Sequence, residues 1–195
     1  WLFEVDSIGP FSFSSNYPQP IYDQIDNTLL DSLKSRADSG ESKFDQPKNW
    51  VGDPGYILFM GQMQRDESIQ LHSSVGVYEA MEQTIAFAKK EKIPLLIKPH
   101  PFERSSEPQK LINKYNYGNI VNANILSLIK GSLAVFTVNS GAGMEALLFN
   151  KPVYYFGEAE YSPVSHKVTN SITLDDIGKY IELYPQFITS YFKDR

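Results

Sequence analysis

The segment Val138-Asn139-Ser140-Gly141-Ala142-Gly143-Met144-Glu145 follows an apolar stretch with two hydrogen-bonding side chains, two glycines and then a helix-forming run. Free backbone N–H groups at the start of such a helix favour an anion, and Gly141 and Gly143 would let a phosphate come close. Ser140 adds a hydroxyl donor. Glu145, in the first turns of the helix, can take the two hydroxyls of a ribose. The same residues also describe a plain tight turn, with the glycines serving only the backbone and Glu145 a solvated helix residue. The segment by itself leaves both readings open.

A second pattern is Ile97-Lys98-Pro99-His100-Pro101. A histidine between two prolines at a strand end has little backbone freedom, so the direction of its ring is set. It can donate to a phosphoryl oxygen or hold a proton for a leaving phosphate, which makes His100 the candidate catalytic residue. An isolated His-Pro is more often a turn without a role; shared placement with Ser140 on one rim favours function. Lys98 alternates with His100 and either faces solvent or pairs elsewhere. A third pattern, Gly61-Gln62-Met63-Gln64-Arg65-Asp66-Glu67-Ser68, offers Gln62 and Asp66 where a donor sugar or base would lie, although charged loops are commonly just solvated.

Other chemistries are excluded by what the sequence lacks. It has no cysteine, hence no disulfide or thiolate metal site. There is no phosphate-loop pattern of the ATPase type and no G-x-G-x-x-G spacing. Asn139-Ser140-Gly141 is only loosely like a nucleophile elbow, because Val138 stands where the first glycine belongs. His72 and His166 have no partners at metal-binding spacing, and His166 is expected on a surface loop. A net charge of −5 argues against a general nucleic-acid binder. No apolar run reaches the roughly 18 residues of a membrane span, and WLFEVDSIGP is not a signal peptide. A start at Trp1 suggests an excised fragment or a processed chain.

The elements that would position these residues alternate regularly. Strands are expected near 56–60, 93–98, 119–122, 133–138 and 152–156, and helices over 23–35, 74–91, 106–115, after 124 and after 143, with closing helices beyond Leu174. This pattern predicts an α/β fold: a Rossmann-like, mainly parallel sheet with helices on both faces. Ligands of such sheets bind beyond the carboxyl ends of the strands, where Gln62, Asp66, His100 and Ser140 all fall. Residues 1–22 read as an extended packed connection and 36–55 as a loop. The expected division is residues 1–50 as a connection with a packing helix and 51–195 as the binding domain.

IKPHP, followed by VFTVNSGAGMEALLFNKPVYYFG, resembles the capsule polysaccharide synthesis family of Gram-negative bacteria, whose best-known members look like Kdo transferases. GQMQRDESI and, more loosely, FEVDSIGP and NYPQPIYDQI extend the resemblance over residues 2–162. It implies the second, nucleotide-binding half of a GT-B-type glycosyltransferase that uses a CMP-activated sugar acid. Carried over residue by residue, the family's His-Pro and serine motifs, which hold the CMP phosphate and ribose, fall on His100 with Pro101 and on Ser140, and the acidic residue of the Gly-x-Glu-Ala stretch falls on Glu145. The nucleotide-binding set is then Gln62, Asp66, Lys98, His100, Pro101, Asn139, Ser140, Gly141, Gly143 and Glu145, with no metal and no cofactor beyond the donor. Gly141 departs from the pattern, since a second hydroxyl residue usually follows the serine. The implied partners are a nucleotide sugar, a glycan or glycolipid acceptor and an N-terminal acceptor domain outside this chain. The implied location is cytoplasmic, at the inner face of the inner membrane. A UDP- or GDP-sugar donor, or a non-catalytic role in capsule assembly or export, are the alternatives.

Overall fold

A strand covered on both faces must be apolar at every position, and three segments meet that demand almost throughout. In a computed structural model, which describes residues 24–39, 52–169, 171–174 and 177–193, these become β1 (Tyr56–Met60), β2 (Leu95–Lys98) and β4 (Ser132–Thr137). Two shorter strands, β3 (Asn119–Ile120) and β5 (Val153–Tyr155), flank them, and β6 (His166–Lys167) closes the far edge. All pair in parallel, in the order β3-β2-β1-β4-β5-β6. The chain order reverses between β1 and β4, and crevices at such a switch point are where open α/β sheets bind ligands.

Alternation along the strands feeds two cores. Leu58, Met60, Leu96, Val135 and Val153 face α1 (Asn27–Asp38), α5 (Ile125–Gly131), α6 (Ala142–Leu148) and α7 (Tyr184–Lys193). Ile57, Phe59, Ile97, Phe136 and Tyr154 face the opposite way, toward α2 (Glu67–His72) and α3 (Val77–Glu91), with α4 (Glu107–Tyr115) packed at the margin. The expected Rossmann-like layering, with helices on both faces, is therefore present. Helix α3 buries Val77, Ala80, Met81, Thr84, Ile85 and Ala88, the three-and-four spacing of one face. It ends where Lys92 turns left-handed at φ 57 and Ile93 bonds back to the Ala88 carbonyl. That return explains why β2 begins at Leu95 and not at 93.

Helix α1 belongs to the same core. Asp26 caps it by accepting from the Leu29 N–H, the Asp26 N–H donates to Thr189 of α7, and Leu30, Leu33 and Ala37 are buried. The connection expected over residues 1–22 and most of the expected loop lie outside the described residues. Two elements escaped the sequence pattern. The six-residue α2 begins within the polar Gln64–Ser68 stretch, with Asp66 as its cap, and runs on to His72. His166, expected on a surface loop, is in β6, paired beside Tyr154 and stacked on its ring at 4.7 Å. A two-residue strand has no periodicity to read, and burial against Tyr154 appears only once β5 is in place.

Leu33→Ala should lower the unfolding free energy by about 2–5 kcal/mol in urea titration, as a core truncation does. Asp31→Ala, on the exposed side of α1, should change it by less than about 0.5 kcal/mol. Equal effects would separate α1 from the core.

Candidate functional site

The ends of β1, β2 and β4 meet through their backbones. The Gly61 N–H donates to the Lys98 carbonyl at 2.9 Å. A Cβ at Gly61 would lie 3.1 Å from Pro99 Cα, 3.2 Å from the Lys98 carbonyl and 3.3 Å from the His100 nitrogen. Glycine is therefore what lets the His-Pro turn close over the end of β1. On the other side, Gln62 is buried and bonds Asn139 twice: its Nε2 donates to Asn139 Oδ1 and its Oε1 accepts the Asn139 N–H, both at 2.9 Å. Asn139 also donates to the Ser68 carbonyl and accepts from the Ser68 hydroxyl, and that hydroxyl donates to Asp66 as well. Asp66 Oδ1 meanwhile accepts the Ser68 N–H and so caps α2.

This network brings Gln62, Asp66 and Asn139 together and engages their polar atoms with one another. Ser140 and His100 stand at its two sides, beyond the carboxyl ends of β4 and β2. Ser140 Oγ accepts the Ala142 N–H at 3.3 Å and its carbonyl accepts the Gly143 N–H at 2.9 Å, so Ser140 opens α6. Gly141 is exposed, with open space around its α-carbon. Gly143 is buried and tightly enclosed, because a Cβ there would overlap the ring of Tyr161. Tyr161 is fully buried and its hydroxyl donates to the Ser140 carbonyl at 2.8 Å. It positions the serine turn from beneath, twenty-one residues away in sequence. Thr137 does the same from the strand, its hydroxyl donating to the Met60 carbonyl at 3.2 Å and to Gln62 Oε1 at 3.3 Å. Neither Tyr161 nor Thr137 carries a local sequence signal, since each acts only through a distant partner.

The His100 ring is held by its own turn. Its Nδ1 accepts the Phe102 N–H at 3.1 Å, which in the neutral ring places the proton on Nε2. The loop is tied to α3 through Tyr78, whose hydroxyl donates to Glu103 at 2.7 Å and contacts Ser105 Oγ at 2.8 Å. Burial alone would raise the Glu103 carboxyl, but the bonds from Ser105 and Tyr78 hold it below its ordinary value.

Two charged groups of the expected set are withdrawn from water. Glu145 is half-buried in α6, makes no hydrogen bond to a described residue, and burial pushes its carboxyl up to about 7. Lys98 ends β2, buried, with its ammonium held below its ordinary value by desolvation. Two other lysines are remote from the glycine turn. Lys130 pairs with Asp38, and Lys151 donates to the Ser132 carbonyl at the amino end of β4.

The sequence signature described as "Capsule polysaccharide biosynthesis protein" matches residues 28–180, well over half of the chain. The capsule polysaccharide export protein KpsS of Escherichia coli is 30% identical over 122 residues, 56% of this chain and 31% of that protein. Protein FixF of Sinorhizobium fredii (strain NBRC 101917 / NGR234) is 32% identical over 116 residues, 56% of this chain and 28% of that protein. The chain spans about a third of these curated relatives' length. Among solved structures, the Thermosulfurimonas dismutans KpsC β-Kdo 2,7 transferase superposes with TM-score 0.52 at 19% identity, covering 86% of this chain and 54% of that one. The β-Kdo 2,4 transferase of the same organism gives TM-score 0.50 at 19% identity, covering 84% and 56%. At that identity the likeness establishes a glycosyltransferase-like fold.

Gly61→Ala should cost about 1–3 kcal/mol in chemical denaturation, the usual penalty of overpacking against backbone, and should shift the amide resonances of residues 98–102. Unmoved resonances would show that the turn is not held against β1. Glu145 makes stability depend on pH. Its folded value near 7 exceeds the unfolded value near 4.5, so its contribution is complete below pH 4.5 and is lost as pH rises through 7. Glu145→Gln should abolish that slope, which thermal unfolding at pH 5, 6, 7 and 8 would reveal. Parallel curves for the two proteins would place Glu145 in water.

Proposed function

The chain belongs to the capsule polysaccharide biosynthesis family, and on that premise we propose that it is the donor-binding domain of a surface-polysaccharide glycosyltransferase using a CMP-activated, Kdo-like sugar acid. The observation that carries this reading is the placement of the His100 turn and the Ser140 turn against the carboxyl end of β1, one on each side of it at the switch point. His100 donates from Nε2 to a phosphoryl oxygen of the donor. Ser140 Oγ has its acceptor lone pair on Ala142 and keeps its proton to donate. Glu145 accepts the ribose hydroxyls, and Gly141 leaves room for the phosphate.

In this mechanism the domain accelerates transfer by stabilising the departing CMP. Negative charge grows on the phosphate oxygens as the glycosidic bond breaks, and donors already aimed there need no reorganisation. The acceptor, a glycan or glycolipid, and the carboxylate that activates it lie on a second domain outside these residues. A cytoplasmic position at the inner membrane face follows from a soluble nucleotide donor and a lipid-linked acceptor. Lys130 and Lys151, held at the far edge, favour a one-phosphate donor over a UDP- or GDP-sugar, whose second phosphate calls for further cations. A second reading, a non-catalytic component of capsule export, is favoured by the resemblance to the capsule polysaccharide export protein of Escherichia coli.

CMP should raise the melting temperature of the chain more than UMP or GMP does. His100→Ala should weaken CMP binding about tenfold or more, the loss of one charge-assisted hydrogen bond. Calorimetric titration measures both. No CMP binding by the unaltered chain would leave the export reading standing and remove this one.

A further inference from the structure

Lys98 is the cation of the expected set whose surroundings pose a physical problem. It is only 8% exposed. Strand alternation places its side chain on the same face as Leu96, and its register partner is Met60. Leu96 and Met60 both belong to the cluster that contains Met144 and Ala146 of α6. Lys98 therefore emerges at the top of the sheet on the face that α6 covers, the helix that also carries Glu145. Its ammonium makes no hydrogen bond or ion pair with any described residue. Lys151, also half-buried, shows the usual solution, donating to the Ser132 carbonyl at 2.9 Å.

Burying an ammonium without a partner costs stability that a methionine of similar length would not. Glu145 of α6 does not neutralise it, for neither residue figures among the charges acting on the other. A cation withdrawn from water and unpaired, two residues before His100, is arranged for a charge that arrives from outside.

We infer that Lys98 is the counter-charge of the bound ligand: its ammonium pairs with an anionic oxygen group of the donor, either the nucleotide phosphate or the carboxylate of the sugar acid. This rests on the donor-site reading above and adds to it the residue that carries the charge. The ammonium's depressed proton affinity in the free protein fits, because a bound anion would restore it. His100 then supplies direction through one hydrogen bond, and Lys98 supplies attraction at a distance.

The test is calorimetric titration of the 195-residue chain and its Lys98→Met, Lys98→Arg and Lys110→Met forms with cytidine, CMP, CMP-N-acetylneuraminic acid and UDP, beside thermal melts of each free protein. If Lys98 holds the phosphate, Lys98→Met should weaken CMP at least about tenfold and leave cytidine unchanged. If it holds the carboxylate, CMP binding stays and only the sugar-acid nucleotide weakens. In either case Lys98→Arg retains part of the affinity, Lys110→Met retains all of it, and ligand-free Lys98→Met melts no lower than the parent. Wild-type affinity for every ligand in Lys98→Met would overturn the inference while CMP binding itself upheld the donor site. A sharp fall in the melting temperature of free Lys98→Met would also overturn it, since the ammonium would then serve the fold. Binding of UDP but not CMP, lost in Lys98→Met, would keep Lys98 and discard the CMP donor. A chain that binds none of the four ligands removes both.

Discussion

Gln62 and Asn139 bond each other through both ends of an amide, one bond to a side chain and one to the backbone. They do so between β1 and β4, where the sheet changes direction and the crevice must open. Two neighbouring parallel strands whose helices depart to opposite faces have little to keep their ends in register. Here the ends are joined by buried polar groups, and each such group would cost about 1–3 kcal/mol if left unpaired. A shift of either turn therefore breaks several bonds together. Thr137 from beneath and Ser68 from α2 enter the same network, so the rim is rigid before any ligand arrives.

That rigidity passes to both neighbouring turns by steric means. Gly61 brings the His-Pro turn within backbone contact of β1, and Gly143 admits the Tyr161 ring under the serine turn. In each case the absent side chain is what allows the approach, and a hydrogen bond then holds it: Gly61 to Lys98, and Tyr161 to Ser140. Polar satisfaction at the centre and tight packing at the flanks thus fix two turns from different strands relative to each other.

Against this satisfied framework, Glu145 and Lys98 stand out. Each is an ionisable group withdrawn from water, Lys98 on the face that α6 covers and Glu145 on α6 itself, with no hydrogen bond to a described residue. Groups of that kind lower stability and persist where function needs them. An arrangement that joins the polar groups of the rim to one another and leaves two ionisable ones without a hydrogen bond among the described residues is suited to a ligand bearing both an anion and hydroxyl donors.

Much of this was legible in the sequence. The near-continuous apolar strands 56–60, 93–98 and 133–138, separated by helical periodicity, determined a parallel α/β sheet, because only strands covered on both faces are apolar throughout. Strand ends then determined which side chains reach the carboxyl edge, and so singled out Gln62, His100 and Ser140. The sequence could not show what those side chains do there. Gln62 and Asn139, alike in type to ligand contacts, are committed to each other across seventy-seven residues. Tyr161 carries no local signal and is the floor of the serine turn. His166 looked exposed and stacks on Tyr154. Lys98, which alternation left either in solvent or paired elsewhere, is buried and has no partner among the described residues. The reason is common to all four. Periodicity reports which face a residue takes, a local property of the backbone, whereas hydrogen bonding and desolvation depend on atoms brought near by the sheet order, and that order exists only once the chain has folded.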